Sequence, residues 1–155
     1  DDTYPNGSHV CEVEIDPETG VVKVLGYWVV DDVGIMINPT IVKGQIHGGI
    51  AQGLGQIMME KVAYNKSDGQ LLSGSFMDYA MPRADNFCTI EVKSNEVPTK
   101  RNPLGAKGAG EAGTVGAMPA LMNAIMNALE PTGVTSIDMP VTPEKVWRAI
   151  NVSSS

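Results

Sequence analysis

Gly44-Gln45-Ile46-His47-Gly48-Gly49-Ile50-Ala51-Gln52-Gly53-Leu54-Gly55-Gln56 is the stretch whose reading decides the fold. Ile46, Ile50, Leu54 and Ile57 recur at helical spacing and gather on one side of a helical wheel. Gln45, Gln52 and Gln56 fall within about a tenth of a turn of one another on the opposite side, because spacings of seven and eleven nearly close whole turns. One face is therefore core, and the other is an amide surface of almost no bulk. Asn38 and Pro39 supply an N-cap and a first-position proline, so the helix is read from there to about Lys61. Five glycines in that span (Gly44, Gly48, Gly49, Gly53 and Gly55) should cost about 4–5 kcal/mol relative to alanine. A typical domain is stable by roughly 5–15 kcal/mol, so something must offset that cost. Two accounts stand open. Close packing needs small residues but not glutamines; a neutral heterocycle in the groove needs both, with an amide reading its donor and acceptor edge.

Outward from this helix the pattern is mixed. Residues 9–15 alternate, with Cys11, Val13 and Ile15 on one face and Val10, Glu12 and Glu14 on the other. After the turn Asp16-Pro17-Glu18-Thr19-Gly20, an extended apolar pattern resumes over 21–30, which predicts a hairpin. A second hairpin is expected over 62–65 and 71–79, and another strand over 88–92. The segment 98–113 reads as a loop. A helix follows it, with a stripe of Met118, Leu121, Met122, Ile125, Met126 and Leu129; Pro119 blurs its start, where Thr114 is a candidate cap. Thr142-Pro143 opens a last short helix with Val146, Trp147 and Ile150 inward, and residues 153–155 read as a disordered tail. The order of elements predicts an α+β domain: a mixed sheet of hairpins packed with the Gly-rich helix and an amphipathic C-terminal helix.

The bulk properties exclude several functions. The chain has 155 residues, a net charge of −7 and 43% apolar residues. That suits one domain with a real core and argues against general affinity for nucleic acid or anionic membrane. No apolar run reads as a membrane span, and the N-terminus lacks the basic-then-apolar pattern of a signal peptide. Cys11 and Cys88 are read as buried thiols in a reducing cytoplasm. His9 and His47 are far apart, so no side-chain metal site is expected.

Gly105-Ala106-Lys107-Gly108-Ala109-Gly110-Glu111-Ala112-Gly113-Thr114 places one carboxylate in a collar of small residues, with Lys107 its charged neighbour. Three readings compete. Gly108-x-Gly110-x-x-Gly113 matches a dinucleotide fingerprint, but Val97-Pro98-Thr99-Lys100-Arg101-Asn102-Pro103-Leu104 before it makes a poor buried strand. Glu111 is otherwise a first-turn carboxylate favoured by the helix dipole by about 0.3–1 kcal/mol. The third reading makes it a general base tuned by an apolar setting.

Taken in order, Gly44 to Gly55 and Asn102 to Glu111 resemble the molybdenum hydroxylases, the xanthine dehydrogenase and aldehyde oxidase family, nearest to large subunits of the aerobic carbon monoxide dehydrogenase type. Asp31-Asp32-Val33-Gly34, Ile37-Asn38-Pro39, Gly74-Ser75-Phe76-Met77-Asp78-Tyr79 and Asp138 to Arg148 extend the resemblance. It implies that residues 1–152 are the C-terminal half of a molybdopterin-binding domain. The cofactor implied is a molybdenum–pyranopterin, in the cytosine dinucleotide form. Glu111 matches the catalytic glutamate that takes a proton as an electron-poor carbon is hydroxylated. Gln45 matches a pterin-contacting glutamine, while Gln52, Gly108 and Gly110 are expected to shape the pocket. The implied partners are the remaining molybdopterin-binding polypeptide, iron–sulfur and FAD subunits, and a small-molecule substrate. By itself the chain is expected to bind no cofactor tightly and to turn nothing over. A non-catalytic assembly domain that keeps the fold is the other reading.

Overall fold

The computed structural model describes residues 2–153. The alternating segments form β1 (Asn6–Ile15) and β2 (Val22–Asp32), paired antiparallel. A bulge at Glu12/Val13 lets Val24 and Tyr27, three residues apart, both face inward. The third strand, β3 (Ile90–Ser94), adds to β2 in parallel, so the sheet is mixed with order β1-β2-β3. Three helices complete the α+β fold: α1 (Pro39–Met58), α2 (Ala112–Leu129) and α3 (Pro143–Ser153).

The core follows the periodicities. Val22, Val24, Tyr27 and Val29 from β2 meet Ile46, Ile50, Leu54 and Ile57 from α1. Ala117, Leu121, Ile125 and Leu129 from α2 close the cluster, with Val141 and Val146 beneath. α2 lies on β1, and α1 lies on α2. At the start of α1 the Asn38 side chain accepts from the Ile41 N–H at 3.1 Å, as the Asn-Pro pair predicts. Cys11 and Cys88 are both free and half-buried. Burial, with Cys88 nearby, pushes the Cys11 thiol up to about 12.

Five local expectations are corrected. α1 ends at Met58 rather than near Lys61, because the N–H groups of Met59 and Glu60 both close on the Gly55 carbonyl. The second hairpin reduces to a turn with one bridge, Tyr64 to Leu71. Val62, Tyr64 and Leu72 are exposed there, so no layer covers the ladder the pattern suggested. α2 starts at Ala112 and runs through Pro119; the Val115 carbonyl that loses a partner lies on the exposed face, open to water. In α3, Val146 is buried, but Trp147 is 45% exposed. Ser153, expected in the tail, closes α3, while Ser154 and Ser155 lie outside the described residues. Among the described residues no helix is long and apolar enough to cross a membrane.

Candidate functional site

The glycines of α1 divide into two sets. A Cβ on Gly49 would sit 2.8 Å from the Thr114 nitrogen, and one on Gly53 would sit 2.7 Å from the Ala117 Cβ. Across the interface, a Cβ on Gly113 would run into the Ile46 carbonyl. Gly55 is crowded by Glu60 and Pro82. Close helix packing therefore accounts for these positions. Gly44 and Gly48 differ: a Cβ on either would meet nothing within 4 Å. They lie on an exposed stripe with Ile41, Gln45, Gln52 and Gln56, which carries no charge. Thr114 is not the cap of α2. Its hydroxyl donates to the Gly49 carbonyl at 3.0 Å and reaches the Gln52 Oε1 at 3.5 Å, tying α2 to the edge of that stripe.

The loop before α2 is clamped to the end of β2. Lys107 does not serve Glu111; its Nζ pairs with the Asp32 Oδ2 at 2.6 Å, both side chains being nearly buried. The Asp32 Oδ1 accepts from the N–H groups of Gly34 (2.9 Å) and Val97 (3.1 Å). Burial works to raise the Asp32 carboxyl, but the hydrogen bond from Lys107 and those two N–H groups outweigh it and hold the group below its ordinary value. Lys107 N–H also donates to the Val33 carbonyl, and Asn102 brackets Ala106 through both its backbone groups. No strand runs directly into Gly108-Ala109-Gly110, which excludes the dinucleotide turn.

Glu111 stands at the N-cap of α2, exposed, with no capping hydrogen bond from its side chain. The described residues do not supply the apolar setting expected around it. Gly108 and Gly110 have open space where a Cβ would be. Glu111 lines a cavity of about 270 Å³ with Asn6, Gly7, His9, Asp31 and Val115. Its neighbours Gly113 and Thr114 touch Gly49, one helical turn along α1 from Gln45, so the two motifs meet through their backbones. Gln45 and Gln52 lie on the adjoining surface of α1 and do not line that cavity.

Two features of the site escaped the sequence reading: the Lys107–Asp32 pair, and a chain of contacts running from Tyr27 through His9 to Asp31. Their sequence signal is Asp31-Asp32, two adjacent acids closing an apolar strand. Buried acids demand partners: both Asp32 oxygens have them, and Asp31 has His9 on its Oδ1. Among the described residues no group of three or more His, Cys, Asp or Glu could hold a metal ion.

Comparison with known proteins supplies the context. Residues 1–88 match the family model described as the molybdopterin cofactor-binding domain. The chain is 44% identical over 146 residues to the nicotine 6-hydroxylase large subunit of Paenarthrobacter nicotinovorans, covering 94% of this chain and 18% of that one. It is 38% identical over 148 residues to the carbon monoxide dehydrogenase large chain of Hydrogenophaga pseudoflava, covering 96% and 18%. Its fold superimposes on the crystal structure of the Cu,Mo-CO dehydrogenase with a TM-score of 0.93 at 34% identity, covering 98% of this chain and 19% of that chain. The chain thus spans less than a fifth of the length of these curated relatives. The matched model, the ordered motifs and the shared fold agree: the chain belongs to the molybdopterin cofactor-binding domain family of the molybdenum hydroxylases.

Proposed function

We propose that this chain is the C-terminal half of the molybdopterin-binding domain, spanning residues 1–152, of a molybdenum hydroxylase large subunit, and that it supplies Glu111 as general base and Gln45 as a pterin contact. The observation that carries the reading is the pair of open glycine sets, Gly44 and Gly48 on α1 and Gly108 and Gly110 beside Glu111. Glycine at an exposed helical position costs about 1 kcal/mol against alanine, and no packing among the described residues offsets it at Gly44 or Gly48. Close approach by a flat group from outside does. The stripe suits a neutral heterocycle, since Gln45 and Gln52 each offer a donor and an acceptor and no charge lies among them. Gly108 and Gly110 let the backbone beside Glu111 come equally near.

When bound, the molybdenum–pyranopterin, in its cytosine dinucleotide form, supplies the oxidising centre and the oxygen transferred to substrate. The work left to this chain is placement and proton transfer. Gln45 orients the pterin edge, Gln52 shapes the same wall while held by Thr114, and the Lys107–Asp32 clamp fixes the loop that presents Glu111. A Glu111 carboxylate oxygen accepts the proton as an electron-poor carbon of a small molecule is oxidised. Two curated relatives are named for acting on nicotine and carbon monoxide, and the substrate here belongs to that range of small molecules. The rest of the pocket comes from further molybdopterin-binding polypeptide, and electrons leave through iron–sulfur and FAD subunits. The two free thiols suit a cytoplasmic setting. The isolated chain is expected to turn nothing over.

In the complete enzyme, Glu111→Gln keeps the molybdenum content and lowers turnover by about 10²–10⁴-fold, the usual contribution of a positioned base. A near-normal rate with full molybdenum content removes Glu111 from the reaction and leaves the assembly-domain reading in its place.

A further inference from the structure

β2 is apolar on both of its faces, and the helices cover only one of them. Val22, Val24, Tyr27 and Val29 point into the core, while Leu25, Trp28 and Val30 on the other face are 40–42% exposed. The register sets Val10 of β1 opposite Trp28 and Ser8 opposite Val30, with Glu91 and Lys93 of β3 beside the same two residues. Val10 is exposed as well. Together these side chains line a shallow groove of about 180 Å³. A sheet face turned to water carries mostly polar residues, whereas a strand covered on both sides reads as a nearly continuous apolar run. Val21-Val22-Lys23-Val24-Leu25-Gly26-Tyr27-Trp28-Val29-Val30 is such a run, broken by one charge.

Gly26 adds a second sign. It sits opposite Glu12 on the outer face, yet it is buried. A Cβ there would lie 2.2 Å from the Trp28 Cη2 and 2.8 Å from its Cζ2 and Cζ3, so the far edge of the indole lies directly over the glycine. A glycine inside a central strand weakens it and marks a close approach; here what approaches is the indole. Folded back along the strand, the ring is held against the sheet and still 40% exposed. Trp28 is therefore a preset apolar anchor, which loses little side-chain freedom on being covered.

We propose that polypeptide of the same large subunit, from outside the span of this chain, packs as a layer on this face of the sheet, with Trp28 as its central contact. It rests on the reading above that the chain is part of a molybdenum hydroxylase large subunit. The curated relatives carry more than four-fifths of their length beyond the matched span, so they contain ample chain for such a layer. A second copy or a separate subunit fits less well. A strand apolar on both faces belongs to a domain interior, where the covering layer is laid down as one polypeptide folds. The arriving surface is apolar at its centre, where it meets Val10, Trp28 and Val30, and polar at its rim, where it meets Glu91 and Lys93. The glycine stripe of α1 belongs to the helical layer on the other side of the sheet. The rest of the subunit therefore grips this chain on two faces, one at the pterin and one behind the sheet.

The test uses the complete enzyme and begins with the wild type, so that no variant has to fold. In hydroxyl-radical footprinting read by mass spectrometry, Trp28 is expected to react about ten-fold more slowly in the native enzyme than after unfolding, because a covered ring is reached only through local opening. A native rate within about two-fold of the unfolded one leaves the face open to water and overturns the proposal. A crystal structure of the complete enzyme names the occupant: residues of the same subunit over Trp28 are expected, and a second copy, another subunit or solvent there overturns it. Trp28→Lys sets a charge beneath the layer, and is expected to lower the yield of assembled, molybdenum-containing enzyme about ten-fold while turnover per molybdenum stays at the wild-type value. Wild-type yield with an unchanged Tm counts against the layer. Should Trp28→Lys give no soluble enzyme, the footprint and the structure of the wild type decide. Glu111→Gln, measured alongside, keeps the two failures apart. Lost turnover in Glu111→Gln with a reactive Trp28 removes the docking surface and keeps the base; normal turnover there with a protected Trp28 does the reverse.

Discussion

Gly49, Gly53 and Gly113 are where α1 and α2 press together; Gly44, Gly48, Gly108 and Gly110 face open space. The same residue type, in two adjoining regions, answers two different demands. In the first region the reason for each glycine lies inside the chain, since a Cβ would displace backbone across the interface. In the second it lies outside, since a Cβ would touch nothing. A glycine-rich helix is ambiguous until these sets are separated, and the second set alone points to a ligand. The packed set also ties the two motifs together: it seats Gly113 and Thr114, at the start of α2, against Gly49, one helical turn along α1 from Gln45.

The open region is held from one side only, and its anchor is the place to break it. Lys107→Met removes one partner of a buried pair and should destabilise the chain by about 3–5 kcal/mol in chemical denaturation. The pH dependence follows from the direction of the Asp32 shift. Its carboxyl lies below the ordinary value of about 4, so its contribution is complete at neutral pH. It is lost as pH falls through the still lower folded value. The variant leaves Asp32 buried without its cation, where protonation gives relief. The stability gap between wild type and variant should therefore narrow below about pH 4. A gap that stays constant into acid means the pair does not anchor the loop electrostatically.

The packed region breaks by overfilling. In Gly113→Val the new side chain meets the Ile46 carbonyl and lies against the Ile50 nitrogen, neither of which can turn aside as a flexible side chain would. A loss of about 1–3 kcal/mol is expected from forced separation of the helices. Because the start of α2 moves with it, the Thr114 hydrogen bond to the Gly49 carbonyl should be lost as well, detectable as faster amide exchange around Thr114. A variant with unaltered stability shows that the interface is looser than the geometry implies.

How much of this was legible from residues alone depended on the range of the interactions. α1 was legible because its apolar and amide faces repeat within the helix itself, and the β1–β2 hairpin because alternation and turn chemistry are local. The parallel placement of β3 was not, since a strand's own pattern does not name its neighbour. The expected hairpin beyond α1 failed for a related reason: Val62, Tyr64 and Leu72 are apolar, but no layer among the described residues covers them. At the site, the glycine collar singled out Glu111 but left three readings of it open. Its charged neighbour was misread, because the partner of Lys107 lies 75 residues away at the end of β2. His9 was one of only two histidines, and its use became visible only once Tyr27, Asp31 and Gly116 were placed around it.

The smallest expected effect separates the two glycine sets most sharply, because its sign reverses between the part and the whole. Gly48→Ala replaces an exposed helical glycine whose Cβ has free space. In the chain alone it should therefore stabilise by about 1 kcal/mol, through helix propensity and the reduced freedom of the unfolded chain. In the complete enzyme the same methyl group stands on the surface proposed for the pterin, so molybdenum and pterin content after purification should fall while the fold is more stable. Gly53→Ala, with Ala117 at 2.7 Å, should lower stability in both settings. If Gly48→Ala raises stability and leaves cofactor content untouched, the open stripe of α1 is not the surface on which the pterin lies, and Gln45 loses its assigned contact with it.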